Sequence, residues 1–186
     1  MLFRSVSTGW EPDAFDGDDA RYAGTRGHDK TGRFIPYWYR DDTGLHLAPL
    51  TDYDTPGVGN WYLVPKATGK ETVVDPYSYE IDGEQVLMTT AVAPIMVDGA
   101  FAGVVTADFG LDALSAGIAD VRPYDTGYAA LLSGSGVVVA HPDREQAGTS
   151  VTGATLAHVE EAASSGRSVV VTRGDSYLGG EAITDR

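Results

Sequence analysis

The chain has 186 residues, 42% of them hydrophobic, which is enough for one large domain or two small ones with a real core. Twenty-seven acidic residues against 13 Lys plus Arg give a net charge of −14, which makes the chain a poor binder of nucleic acid or anionic membranes. The lack of cysteine excludes a disulfide framework, a thiolate zinc site and a thiol nucleophile.

Residues 1–32 are polar, acidic and Gly-rich, and read as a mostly irregular wrap anchored by Trp10, Phe15 and Tyr22. The opening Met1-Leu2-Phe3-Arg4 has no apolar core of signal-peptide length. Arg33 to Arg40 is aromatic and strand-like, with Pro36 suited to an edge strand or bulge. Asp41 to Gly44 reads as a turn before a strand at Leu45 to Leu47. A Pro/Gly/Asp loop, Asp52 to Gly59, leads into a short helix through Trp61, Tyr62 and Val64. Asp82-Gly83 and Asp98-Gly99 are hairpin signals, and they predict antiparallel strands near 76–81, 84–96 and 100–109. The most apolar run, Val86 to Val97, is too short to span a bilayer.

Leu111, Leu114, Ile118 and Val121 then recur at helical spacing until Pro123. In the second half, Tyr128 to Leu132 and Val137 to Ala140 predict a hairpin. Leu156, Val159 and Ala163 mark a helix that Gly166 can end, and a further hairpin turns at Gly174-Asp175 between Ser168 to Thr172 and Tyr177 to Ile183. The pattern is α/β of the α+β kind: two modules, each an antiparallel sheet with flanking helices, the second one strand short and so expected to be incomplete.

No catalytic constellation is visible. His28, His46, His141 and His158 are scattered, and Gly69-Lys70-Glu71-Thr72 lacks the features of a phosphate loop. Asp13 to Asp19 misses the calcium-loop pattern, and Gly134-Ser135-Gly136 lacks the context of a nucleophile elbow. No catalytic residue, metal or cofactor is therefore expected. An enzyme with an unrecognised site and a ligand-free interaction module are the alternatives to a binding domain.

What stands out is the aromatic content of residues 37–79: Tyr37, Trp38, Tyr39, Tyr53, Trp61, Tyr62, Tyr77 and Tyr79. Tyr and Trp need partners for their polar tips, so a closed core would more naturally use Phe and Leu. With Asp52, Asp54, Asp75 and Asp108 nearby in sequence, the set fits a pocket for a small cation, each ring face adding ~0.5–2 kcal/mol. Asp108 ends the apolar run Phe101 to Ala107, and is read either as a cap for the following helix or as a ligand contact.

These residues resemble a known family, the double Cache sensor domains of bacterial chemoreceptors and sensor histidine kinases. The resemblance is carried by Trp10-Glu11-Pro12-Asp13-Ala14-Phe15-Asp16-Gly17 and by Gly32-Arg33-Phe34-Ile35-Pro36-Tyr37-Trp38-Tyr39-Arg40. It continues in Trp61-Tyr62, Pro65, Thr68-Gly69-Lys70-Glu71, Asp75-Pro76-Tyr77, Val86 to Thr90 and Gly103 to Asp108, and more weakly in Gly127-Tyr128 and His141-Pro142. It implies two PAS-like modules: a membrane-distal, ligand-binding one over 1–115 and a truncated membrane-proximal one over 116–186. It also implies an extracytoplasmic location in a membrane-anchored parent, homodimeric through an N-terminal helix not in this chain.

By the same resemblance Trp61, Tyr62, Tyr77 and Asp108 match the family's ligand-contacting positions; with Trp38, Tyr39, Tyr79 and Asp54 from the aromatic and acidic set they make the expected ligand-binding residues. Amino-acid-sensing members hold the ligand carboxylate with an Arg where this chain has Gly59, and the ammonium with an Asp where it has Tyr79. The departures point to an amine or betaine, with an amino acid still open if Arg33 or Arg40 replaces the clamp.

Overall fold

The computed structural model describes residues 3–81, 83–165, 169–173 and 176–180. Its contacts divide the chain into two units, Met1–Ala113 and Leu114–Arg186.

The first unit is an antiparallel sheet of seven strands: β1 (Phe3–Trp10), β2 (Pro36–Asp41), β3 (Gly44–Pro49), β4 (Thr72–Val73), β5 (Tyr77–Ile81), β6 (Glu84–Val97) and β7 (Ala100–Gly110). Their spatial order is β3-β2-β1-β7-β6-β4, and β5 also pairs with β6. The long β6 carries β5 along Glu84 to Met88 and β4 along Ala91 and Val92. Asp98 and Gly99 close the β6–β7 hairpin with φ of 51° and 80°, the mirror-image turn that an Asp-Gly pair favours.

The N-terminal stretch differs from the irregular wrap read in the sequence. Its first part is β1, an interior strand between β2 and β7. Ser5, Ser7 and Gly9 alternate onto the buried face, where polar partners on β2 and β7 satisfy both hydroxyls, so the strand needs no apolar pattern. Strand β2 is also interior, not an edge; Pro36 is tolerated because it opens the strand opposite Pro49. The short β4 is likewise absent from the sequence reading.

On the inner face of the sheet lies α1 (Asn60–Thr68), which buries Trp61, Tyr62 and Pro65. It packs against β6 and β7 over a core that includes Tyr37, Leu50, Tyr79, Met88, Val92 and Val104. Gly69, in the left-handed region at φ 66°, ends the helix by returning its N–H to the Pro65 carbonyl at 2.8 Å. On the outer face a row of apolar residues runs in register across five strands, Leu47, Trp38, Val6, Ala107 and Ala91, with Val6 still 48% exposed. Helix α2 (Leu111–Ile118) follows β7 directly.

The second unit holds a short ladder of β8 (Leu131–Leu132) with β9 (Val138–Ala140), then α3 (Gly153–Ser165) and the hairpin of β10 (Val169–Arg173) with β11 (Ser176–Gly180). Gly166, Ser168, the Gly174-Asp175 turn and the expected extension to Ile183 lie outside the described residues, as does Asp82.

Candidate functional site

Strand register builds the site. Ser5 of β1 and Thr90 of β6 both lie opposite Asp108 of β7, and Ser7 lies opposite Thr106. All five side chains are buried on the inner face, which makes a polar strip beneath the aromatic core. Asp108 is only 4% exposed. Its Oδ2 accepts the Ser5 hydroxyl at 2.6 Å and its Oδ1 accepts the Thr90 hydroxyl at 2.7 Å. Tyr37 reaches Ser5 at 2.7 Å, Tyr77 reaches Thr90 at 2.7 Å, and Ser7 and Thr106 bond each other at 2.6 Å.

Among the described residues no Arg, Lys or His forms an ion pair with Asp108. Burial pushes its carboxyl above the ordinary carboxylate range, more than the hydrogen bonds from Ser5, Thr90 and Tyr37 pull it down. Burial also raises the Tyr37 and Tyr77 phenols, and the nearby Asp108 charge adds to the rise. Asp108 does not cap a helix, because it sits within β7 and both carboxylate oxygens are held by strand hydroxyls.

Ser7, Tyr37, Thr106 and Asp108 form the sheet side of a cavity of about 10 Å³, room for about one water molecule. Tyr77, Tyr79, Leu50 and Trp61 complete its walls. Tyr79 also holds the loop after β3, since its hydroxyl oxygen accepts the Thr51 N–H at 3.2 Å. Of the residues expected from sequence, the cavity brings together Trp61, Tyr77, Tyr79 and Asp108.

The other four stand elsewhere. Trp38 faces outward on β2, with the Arg26 guanidinium 5.9 Å from its ring. Tyr39 stacks between Tyr37 and His46 at 5.7 and 5.2 Å, beside the cavity wall, and Asp54 is exposed on its loop. Tyr62 points to the far side of α1. There its hydroxyl meets Arg33 and Glu11, while the Arg33 guanidinium lies 4.4 Å from the Tyr53 ring and 4.8 Å from the Tyr62 ring. Arg33 also binds the Trp10 carbonyl and lies 3.6 Å from Glu11, so it is committed to this network; Arg40 is exposed on β2.

Gly59 does not leave room for a side chain. A Cβ there would stand 2.3 Å from the Asp52 carbonyl oxygen and 2.7 Å from that of Thr55. Ser5, Ser7, Thr90 and Thr106 were not singled out by sequence reasoning. The Ser-x-Ser alternation of β1 and the Thr-x-Asp of β7 are signals for Ser5, Ser7 and Thr106 as residues of one face, while only the strand register brings Ser5 and Thr90 to Asp108.

Residues 11–116 match the family model for the methyl-accepting chemotaxis protein-like first PDC sensor domain. The chain is 32% identical over 119 residues to the methyl-accepting chemotaxis protein TlpQ of Pseudomonas aeruginosa, a match that takes in 58% of this chain and 17% of TlpQ. It is 34% identical over 92 residues to PscA of Pseudomonas syringae pv. tomato, covering 50% of this chain and 14% of that one. Among solved structures, the extracellular domain of mmHK1S-Z3, assigned as a histidine kinase, superposes with a TM-score of 0.78 at 36% identity, over 91% of this chain and 62% of that one. Methyl-accepting chemotaxis protein X superposes with a TM-score of 0.71 at 30% identity, over 94% and 65% of the two chains. The chain thus spans less than a fifth of the length of these curated chemoreceptors. It belongs to the PDC (Cache-type) sensor-domain family of chemoreceptors and sensor histidine kinases, as an extracellular, non-catalytic, ligand-binding domain.

Proposed function

We propose that the first module binds a small organic cation, an amine, a quaternary ammonium or the ammonium end of an amino acid, with Asp108 as its counter-ion and Trp61, Tyr77 and Tyr79 as its aromatic walls. The observation that carries this is the burial of Asp108 without a cationic partner among the described residues. A buried carboxylate is ordinarily paired, and an ammonium group between ring faces would pair it. Amino-acid-sensing members of the resembled family place an Arg at the position of Gly59, and the packed backbone around Gly59 argues against a carboxylate clamp there. At about 10 Å³ the cavity is smaller than any of these ligands, so binding requires Trp61 and the loop after β3 to move away from the sheet.

In this reading residues 1–115 are the membrane-distal module and 116–186 belong to a membrane-proximal one, both PAS-like. The receptor that carries them is membrane-anchored and homodimeric. The half-exposed apolar row on the outer face of the sheet offers a helix of that receptor a surface to cover. A second reading, a ligand-free module in which Asp108 is a neutral core group, is favoured by the small cavity.

A thermal-shift screen with amines, betaines and amino acids separates the two. A ligand at 100 times its dissociation constant adds about 2.7 kcal/mol of stability. A shift with cations that Asp108→Asn abolishes supports the first reading, whereas no shift across the screen supports the second.

A further inference from the structure

Asp108 sits at the meeting point of two hydroxyl chains, one from β1 and β2 and one from β5 and β6. Each chain has two links: Tyr37 Oη to Ser5 Oγ at 2.7 Å and on to Oδ2 at 2.6 Å, and Tyr77 Oη to Thr90 Oγ1 at 2.7 Å and on to Oδ1 at 2.7 Å. A hydroxyl carries one proton, and an ionised carboxylate only accepts. With Asp108 ionised, Ser5 and Thr90 therefore spend their protons on the carboxylate. Each must then accept from its tyrosine, since no second proton is available for that link. Both phenols thus donate inward, Tyr77 to Thr90 and Tyr37 to Ser5 or to the carboxylate itself, and keep only lone pairs for anything else.

Tyr37, Tyr77 and Asp108 all line the cavity. A cation entering it meets three acceptors at this end and no tyrosine proton. We propose that Ser5 and Thr90 are positioning residues for ligand choice. By fixing the proton direction of both chains they turn this end of the cavity into an acceptor surface, which selects cations bearing N–H donors over quaternary ammonium ions on the same carbon chain. The inference rests on the cation reading above and narrows it. A permethylated head engages the ring faces through its charge but leaves the three acceptors without donors, and unmade hydrogen bonds to desolvated acceptors are costly.

The test compares propylammonium with N,N,N-trimethylpropylammonium, titrated into the chain and its variants by calorimetry. The parent should favour propylammonium by about tenfold or more, the scale of one hydrogen bond to a charged group. Thr90→Val keeps the volume but removes the relay, freeing the Tyr77 proton to turn into the cavity. It should reduce the preference severalfold, whereas Ser5→Ala should reduce it less, because Tyr37 can still donate to Asp108 directly. Thr90→Ser restores the relay and should restore the preference. A preference that arose from the bulk of the methyl groups would pass unchanged through Thr90→Val, and that result overturns the inference. Equal binding of the two probes by the parent overturns it as well, while leaving the cation site standing. Binding of neither probe removes the cation reading and this inference together. If Thr90→Val does not fold, the ratio in Thr90→Ala decides, since it removes the same relay hydroxyl.

Discussion

A carboxylate buried among hydroxyls makes opposite demands on stability and on binding. The Asp108 carboxyl titrates higher in the folded chain than in the unfolded one, so the folded state holds the extra proton in the window between the two values. Its contribution to stability is fully present below the ordinary carboxylate range and is lost as pH rises through the folded value. Cation affinity runs the other way and falls as Asp108 takes up a proton. Urea titrations and ligand titrations across mildly acidic pH should show these slopes with opposite sign, and Asp108→Asn should flatten both. That variant should also weaken cation binding by at least about 1.5 kcal/mol. Trp61→Ala is a poorer probe: at 2% exposure the ring is core, and its loss should cost about 3–5 kcal/mol of fold stability whatever happens to binding. Gly59→Ala should destabilise by about 1–3 kcal/mol, because the new methyl meets the backbone of Asp52 and Thr55. Asp108 was legible in the sequence because a charge at the end of an apolar strand needs a reason. Ser5 and Thr90 were not, because a hydroxyl is equally at home on a surface, and only the strand register shows that both oppose Asp108.

At the level of elements, α1 is fastened to the segment after β1 by a charged network. Burial works to raise the Glu11 carboxyl, but hydrogen bonds from Lys66 and Tyr62 and the charges of Lys66 and Arg33 outweigh it and hold it below the ordinary range. Lys66 meets Glu11 at 2.7 Å from the exposed side, whereas Arg33 is 7% exposed and lies against two tyrosine rings set edge to face. Arg33→Ala leaves Glu11 without its buried partner and two ring faces without their cation. The expected loss is about 3–5 kcal/mol in urea unfolding, whereas Lys66→Ala, losing an exposed pair, should cost about 1 kcal/mol or less. The β5–β6–β7 hairpins were readable from Asp-Gly turns, the second unit's hairpins from Gly-containing turns, and α2 and α3 from 3.6-residue periodicity, all of them local signals. β1 was not readable, since its stability comes from polar partners about 30 and 100 residues away and its composition matches a loop.

Across the whole molecule, a net charge of −14 on 186 residues is self-repulsive. Raising NaCl from about 10 mM to about 1 M shortens the Debye length from about 30 Å to about 3 Å, so the melting temperature should rise with salt in scanning calorimetry. A fall would show that the Glu11–Lys66–Arg33 network outweighs the general repulsion. The placement of β1 between β2 and β7 has a further consequence, for the order of assembly. The contact between Ser5 and Asp108 closes a chain segment of 103 residues. Closing a loop of that size costs about 4 kcal/mol of chain entropy before any contact repays it. A ribosome adding about 5–20 residues per second exposes β1 several seconds before β7 exists to pair with it. The β5–β6–β7 hairpins, whose contacts are local, can form as soon as they emerge, while β1 waits with one edge open. Thr90 meets the Asp108 carboxylate already in the β6–β7 hairpin, but Ser5 reaches it only when this last strand pairing is made, so the capacity to bind arrives with the completed sheet and not before it.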